Sequence, residues 1–355
     1  MSPSTVAEAM RITIGLDVGD RDSHYYELDA AGEVEAEGRV RTTEDALKRQ
    51  FAGRDRARVV LEVGTHSPWI SRLLEELGHE VIVANARRVR MIYANDSKSD
   101  KVDAEMLARV GRMDVRLLYP IQHRGPGAQH DLALLRARES LVRSRTQMIN
   151  HVRGATKAVG GRLPRSSTAA FARKVAPEIP EPLRPALGPL LEMIDALTQQ
   201  INRTEVEITR LCDERYPETR RLQQISGVGP ITSLCYVLTL EDPARFKNGR
   251  SVGAYLGLKP RQRDSGDRTP QLRITKRGDE MLRRLLVNSA HYILGPFGPD
   301  CDLRRWGHML SERGGANAKK RAVVAVARKL ANVLYALWLS GADYEPIRAS
   351  TSAAA

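Results

Sequence analysis

Asp17, Glu62, Asp100 and Asp103 constrain this chain more than any other residues. Asp17 stands in the apolar, alternating run Ile12-Thr-Ile-Gly-Leu-Asp17-Val, and Glu62 ends a second such run, Val59-Val-Leu-Glu62-Val; both read as strands. Asp100 and Asp103 are three apart in Lys98-Ser-Asp100-Lys-Val-Asp103-Ala-Glu-Met-Leu, which starts a helical pattern, so they share one helix face. An unpaired carboxylate in or at the end of a buried strand is costly. A hard divalent cation removes that cost, and two such ions about 4 Å apart suit phosphodiester chemistry. The expectation is an enzyme acting on nucleic acid with Mg²⁺, or alternatively Mn²⁺, ligated by Asp17, Glu62, Asp100 and Asp103.

The charge balance agrees. Across 355 residues, 56 Lys and Arg against 43 Asp and Glu leave a net charge of +13, which calls for a polyanionic partner. Nucleic acid is the first candidate and an anionic membrane surface the second. Against the membrane, the best apolar run, Leu330 to Leu339, falls short of the roughly 20 residues a span needs. The N-terminus carries Glu8 and no long apolar stretch, so no signal peptide is expected. Cys212, Cys235 and Cys301 are scattered, fit neither a disulfide framework nor a zinc site, and read as small buried apolar residues. A soluble cytoplasmic protein is expected.

The first segment, 1–125, reads as mixed α/β. Strands are expected at Ile12–Val18, His24–Leu28 and Val34–Val40, then a helix at Thr43–Ala52 with Thr42 or Thr43 as its cap. Strand Arg58–Val63, helix Ser67–Leu77 ended by Gly78, strand Glu80–Ala84 and the acidic helix complete it. Three meandering strands followed by helix, strand, helix, strand, helix is the order of a ribonuclease-H-like (RuvC-like) fold. In that fold the first strand, the fourth strand and a late helix converge on one site, the three places that hold the acids here.

From 126 to 215 the pattern becomes long helices. Leu190, Ile194, Leu197, Ile201, Thr204, Ile208 and Leu211 are spaced 4-3-4-3-4-3, a heptad seam that serves a coiled coil or a helical hairpin. Gly160-Gly-Arg-Leu-Pro breaks the helices, and a Pro-rich stretch runs from Pro177 to Pro189. From Arg136 to Lys174 ten basic residues stand against one acid, Glu139, which makes Arg136, Arg138, Arg143, Arg145, Arg153 and Lys157 candidate phosphate contacts. In the third segment, 216–345, Leu222-Gln-Gln-Ile-Ser-Gly227-Val-Gly229-Pro resembles a helix-hairpin-helix, whose glycines let backbone N–H groups approach a phosphate; a packing hairpin fits the same residues. Arg261, Arg263, Lys276 and Arg277 belong to a second basic stretch, with nine basic residues and four acids from Lys259 to Arg284. Amphipathic helices are expected at Met281–Leu294 and Ala318–Leu339, and a disordered tail at 346–355. The fold class is therefore multidomain α+β: a RuvC-like domain, central coiled-coil helices and a mostly helical C-terminal domain.

Gly15-Leu-Asp17-Val-Gly, Leu61-Glu62-Val-Gly-Thr and Ser99-Asp100-Lys-Val-Asp103-Ala resemble the DEDD signature of the IS-110 (IS-116/IS-1111-like) insertion-sequence transposases. Gly227-Val-Gly-Pro, Phe246-Lys, Tyr255-Leu-Gly-Leu-Lys-Pro, Asp264-Ser265-Gly266 and Ile274-Thr-Lys-Arg-Gly-Asp resemble that family's C-terminal transposase domain. The likeness covers nearly the whole chain in the right order. Two positions depart from the family pattern, Val63-Gly-Thr-His66 after the strand glutamate and Thr275 before Lys276-Arg-Gly; neither removes an expected catalytic group.

The resemblance implies a recombinase with a metal site in the RuvC-like domain and a serine nucleophile in the second. By position that serine is Ser265, which on its own residues is an ordinary turn serine. It further implies a covalent phosphoserine link to DNA and a structured non-coding RNA that pairs with donor and target DNA, the protein reading shape and backbone. A dimer assembling to a tetramer is implied by strand exchange. The acids alone would equally support a RuvC-type nuclease of branched DNA that uses water, and a site-specific DNA invertase would share both domains. His24, His66, His130, His151 and His291 show no metal-ligand spacing; His66 is near Glu62 in sequence.

Overall fold

The computed structural model describes residues 12–86, 99–263 and 272–347. Ser265, the nucleophile implied above, and residues 348–355 of the expected tail lie outside these. The chain divides between Arg124 and Gly125 into two compact units.

The first unit is built on five strands: β1 (Thr13–Asp17), β2 (Asp22–Leu28), β3 (Val34–Arg41), β4 (Arg58–Glu62) and β5 (Glu80–Ala84). Their order in the sheet is β3-β2-β1-β4-β5, with β1–β2 and β2–β3 antiparallel and β1–β4 and β4–β5 parallel. Helices α1 (Glu44–Phe51), α2 (Ser67–Glu76) and α3 (Asp100–Met113) complete the unit. Ile14, Leu16, Val59 and Leu61 pack with Leu47 and Phe51 of α1 and Ile70, Leu73 and Leu74 of α2 on one face. The opposite face takes α3, through Val60 with Leu107 and Val110, and Tyr26 and Leu28 with Ala104 and Ala108. The element order expected from the sequence is the one observed, each boundary moving by at most two residues. One detail differs: Thr43 occupies the N-cap of α1 without a side-chain cap bond, and the Thr42 hydroxyl is engaged with Ser23 and donates to the Gly19 carbonyl instead of capping the helix.

The second unit is helical. Its two long helices are α4 (Pro126–Ala158) and α6 (Arg184–Arg215), with the short α5 (Phe171–Val175) between them. Then follow α7 (Glu218–Leu222), α8 (Pro230–Leu240), α9 (Gly249–Tyr255), α10 (Glu280–Leu294), α11 (Asp302–Glu312) and α12 (Ala318–Ser340). The Pro-rich stretch does not stay outside the helix: α6 starts at Arg184 and carries Pro189 inside it. Helices α4 and α6 pair as a hairpin. The buried stripe of α6 is Leu187, Leu191, Ile194, Thr198, Ile201, Ile208 and Cys212, so the seam is centred slightly round the helix from the one read in the sequence, with Leu190, Leu197, Thr204 and Leu211 half-buried at its edge. Near one end Asp131 of α4 is buried and accepts hydrogen bonds from Arg215 (3.0 Å) and the Tyr216 hydroxyl (2.6 Å). There Leu132, Leu135, Ile208 and Cys212 join the core formed by α8, α10 and α12. At the other end Ile149 and Val152 make a separate core with Phe171, Val175 and Ile194.

Helix α12 ends one residue beyond the expected Leu339 and, taken whole, is longer than the Leu330–Leu339 run weighed against a membrane span. It is long and apolar enough to cross a membrane, yet Val326, Leu330 and Leu334 are fully buried among the helices of its own unit. All three cysteines are buried and free, as expected.

Candidate active site

The acids reach one place through strand parity and a close helix contact. Side chains alternate across a sheet, so Gly15 and Asp17 on β1, and Val60 and Glu62 on β4, face the α3 side, while Ile14, Leu16, Val59 and Leu61 face α1 and α2. Leu16 pairs with Leu61 in the parallel register, which puts Asp17 and Glu62 side by side at the ends of neighbouring strands. Above them, Gly111 of α3 sits tightly against the Val60 side chain, and Ala104 and Ala108 lie directly over Gly15. Small residues at each crossing let α3 rest on the sheet, and its first turn carries Asp100 and Asp103. Ser99 caps that turn, its side chain accepting from the Val102 nitrogen.

Electrostatics registers the convergence. Burial, and then the carboxylates of Asp100, Asp103 and Glu62, push the Asp17 carboxyl up from 3.8 to about 6; His24 acts in the opposite direction. His24 is the cross-strand partner of Asp17 on β2, and its Nδ1 lies 3.6 Å from Asp100 Oδ2. Spacing along the chain assigns His24 no role, because its link to Asp17 is a register relation between strands. As the side chains stand, no group of three or more His, Cys, Asp or Glu among the described residues is gathered closely enough to hold a metal ion. Asp100 instead lies beside His24. The donor set, four carboxylates of which one is raised by the other three, is chemically suited to a hard divalent cation.

The basic residues divide by environment. Arg138 of α4 bonds Glu205 of α6 at 2.5 and 2.9 Å. Arg145 is only 8% exposed, donates to Thr198 and Thr168, and is lowered from the ordinary arginine value by burial. Arg145 is thus buried in the hairpin and Arg138 is paired across it, whereas Arg136 and Lys157 are exposed. Arg143 is exposed and bonds Glu139 one turn away. Arg153 lies over the Phe171 ring and, with Lys157 and Arg162, lines a cavity of about 610 Å³ beside Gly160 and Gly161.

Gly227 has φ +90°, and a Cβ there would meet the Tyr292 ring at 2.8 Å, so this glycine serves packing on α10; Gly229, the N-cap of α8, has open space around it. Arg261, Arg263, Lys276 and Arg277 are exposed around the segment that holds Ser265. The described ends of that segment pair with each other, Arg261 N–H to the Arg273 carbonyl and Thr275 N–H to the Lys259 carbonyl, both at 2.9 Å.

Fold and site together define an enzyme with an acid-lined α/β unit and a basic helical unit. The family described as transposase IS116/IS110/IS902 matches residues 219–299, and a transposase family of the DEDD type matches residues 14–159. A probable family 20 transposase of Pseudomonas aeruginosa is 31% identical over 81% of this chain and 86% of its own length. The transposase for insertion sequence element IS1111A of Coxiella burnetii is 33% identical over 69% and 68%. That for IS1328 of Yersinia enterocolitica is 28% identical over 92% and 97%. This chain is an insertion-sequence transposase, an enzyme that acts on DNA. It belongs to the IS116/IS110/IS902 family, whose DEDD domain implies the use of a divalent metal.

Proposed function

We propose that residues 1–125 form a RuvC-like domain in which Asp17, Glu62, Asp100 and Asp103 ligate Mg²⁺, and that Ser265 of the 216–345 domain is the nucleophile of a DNA recombinase. One observation supports the site above all: Asp17 and Glu62 end neighbouring parallel strands against α3, whose first turn carries Asp100 and Asp103, and burial followed by those three carboxylates raises Asp17. When bound, the metal would polarise the scissile phosphate and stabilise the departing oxygen. The chain's own residues do the rest. Ser265 Oγ forms a bond to phosphorus as one backbone P–O bond breaks; the serine proton leaves to a base and the departing deoxyribose oxygen takes one up. Phosphodiester bonds are conserved in number, so the reverse attack rejoins DNA without a nucleotide cofactor.

Arg136, Arg143, Arg153, Lys157, Arg261, Arg263, Lys276 and Arg277 supply phosphate contacts in this reading, to donor and target DNA and to a structured guide RNA. Residues 126–215 supply the hairpin. Exchange between two duplexes needs four cleavages, hence a dimer that assembles to a tetramer. Circle-junction amplification from cells carrying the native locus tests the proposal. Wild type should yield the junction while Asp17→Ala and Ser265→Ala do not. A junction that persists in Ser265→Ala alone would hand the chemistry to water or to another serine.

A further inference from the structure

The loops that continue from Asp17 and Glu62 meet in a polar chain that the acid site does not account for. Trp69, in the first turn of α2, donates its indole N–H to His66 Nδ1 at 3.1 Å. His66 Nε2 in turn lies 3.2 Å from Asp20 Oδ1. An indole nitrogen can only donate, so Nδ1 must be the acceptor, and the ring proton is placed on Nε2. Asp20 belongs to the loop after β1 and His66 to the loop after β4. The bond therefore spans the two strand ends that carry Asp17 and Glu62.

Both loops are fixed independently of that bond. The Ser67 hydroxyl accepts from the Gly64 nitrogen at 2.9 Å, and Thr42 takes the Gly19 carbonyl with its hydroxyl and the Arg21 carbonyl with its backbone N–H. His66 is thus a pre-aimed donor on a rigid rim. What it holds is a poor structural partner, for the Asp20 side chain is 93% exposed, and an exposed pair contributes little to folding. A donor fixed by a half-buried indole and aimed at a solvated carboxylate is an arrangement that suits an exchangeable anion.

We infer that His66 Nε2–H binds a non-bridging oxygen of the DNA phosphodiester at the acid site, with Trp69 as its positioning residue and the Asp20 carboxylate standing in for that oxygen when DNA is absent. The inference rests on the proposed reading of the acid cluster as a phosphodiester site. It adds an N–H donor, besides His24, at the strand ends that carry the carboxylates, where a phosphate oxygen can use one.

Quantitative junction amplification from the native locus, with thermal unfolding of the full chain with and without Mn²⁺, tests it. His66→Ala should lower junction yield about 10- to 100-fold, the loss for one hydrogen bond to a charged group. His66→Gln, which can place an N–H near Nε2, should recover most of it. Trp69→Phe keeps a ring in place but frees Nδ1, and should cost about 3- to 10-fold. The Mn²⁺-induced rise in unfolding temperature should match wild type in all three. Wild-type yield in His66→Ala or Trp69→Phe overturns the inference, as does equal loss in His66→Gln and His66→Ala. If Asp17→Asn keeps both the Mn²⁺ response and the junction, the acid-site reading itself fails, and this inference falls with it.

Discussion

Gly15 of β1 lies directly beneath Ala104 of α3, so close that a Cβ on the glycine would run into the Ala104 carbonyl oxygen and sit 2.5 Å from the Ala108 nitrogen. Both obstacles are helix backbone, which cannot swing aside as a side chain can. Gly15→Ala must therefore lift α3, and with it Asp100 and Asp103, away from Asp17. Overpacking of this kind costs about 1–3 kcal/mol. The expected outcome is a lower unfolding temperature together with loss of the Mn²⁺ response. A Gly15→Ala protein that unfolds and binds Mn²⁺ like wild type would show that helix and strand do not touch here.

The raised carboxyl of Asp17 has a signed consequence for pH. In the metal-free protein the folded state holds a proton on Asp17 up to about 6, whereas the unfolded chain releases it near 3.8. Between those values the folded state binds more protons, so this group's contribution to stability falls as pH rises, and its full penalty is present above about 6. A bound divalent cation reverses the penalty, and its effect should vanish as pH drops through about 6. Asp17→Asn should thus unfold at a higher temperature than wild type at pH 7.5 without metal, and show no Mn²⁺-induced rise. Thermal scans from pH 5 to 8, with and without Mn²⁺, check both signs.

Arg145 separates a structural cation from a nucleic-acid contact. It is buried against Thr198 and Thr168, and its Nε has no partner, so an apolar replacement of similar length should be tolerated or favourable. Arg145→Met should leave affinity for a short DNA duplex within about two-fold while keeping the hairpin folded. Arg136→Ala and Lys157→Ala should each weaken binding and lower the slope of log affinity against log salt by about 1. Titration at several salt concentrations distinguishes them; a reduced slope in Arg145→Met would place its charge on the nucleic acid after all.

How far the sequence could be read follows from the kind of information each feature needs. Strand parity and helix period are local, so β1, β4 and the first turn of α3 were legible, and the acids with them. The partner of the α6 seam was not, because α4 answers it with Arg138 and Arg145 as well as with Leu132, Ile149 and Val152 and shows no clean heptad of its own. Arg145 read as a surface charge for the same reason: a burial that depends on Thr168 and Thr198 is invisible to spacing along one helix. His24 and the His66–Asp20 bond also come from pairing across the sheet, between residues 7 and 46 positions apart.

Two glycines interlock the described residues on either side of the segment that contains Ser265. Gly257, at φ +71°, would place a Cβ 2.5 Å or less from the Arg277 backbone, and Gly278, at φ +81°, would drive one into the Tyr255 carbonyl. The turn after α9 and the turn before α10 therefore interlock backbone to backbone, with Lys276 N–H donating to the Gly257 carbonyl at 3.1 Å. Any side chain at Gly257 faces both an unfavourable φ and this contact, so Gly257→Ala should shift the stem formed by Lys259–Arg261 and Arg273–Thr275. Because that stem and the acid cluster belong to different compact units, the Mn²⁺-induced rise in unfolding temperature should survive while junction formation is lost. Loss of both would mean that the substitution unfolds more than the stem. A junction at wild-type yield would mean that the position of the stem does not govern junction formation.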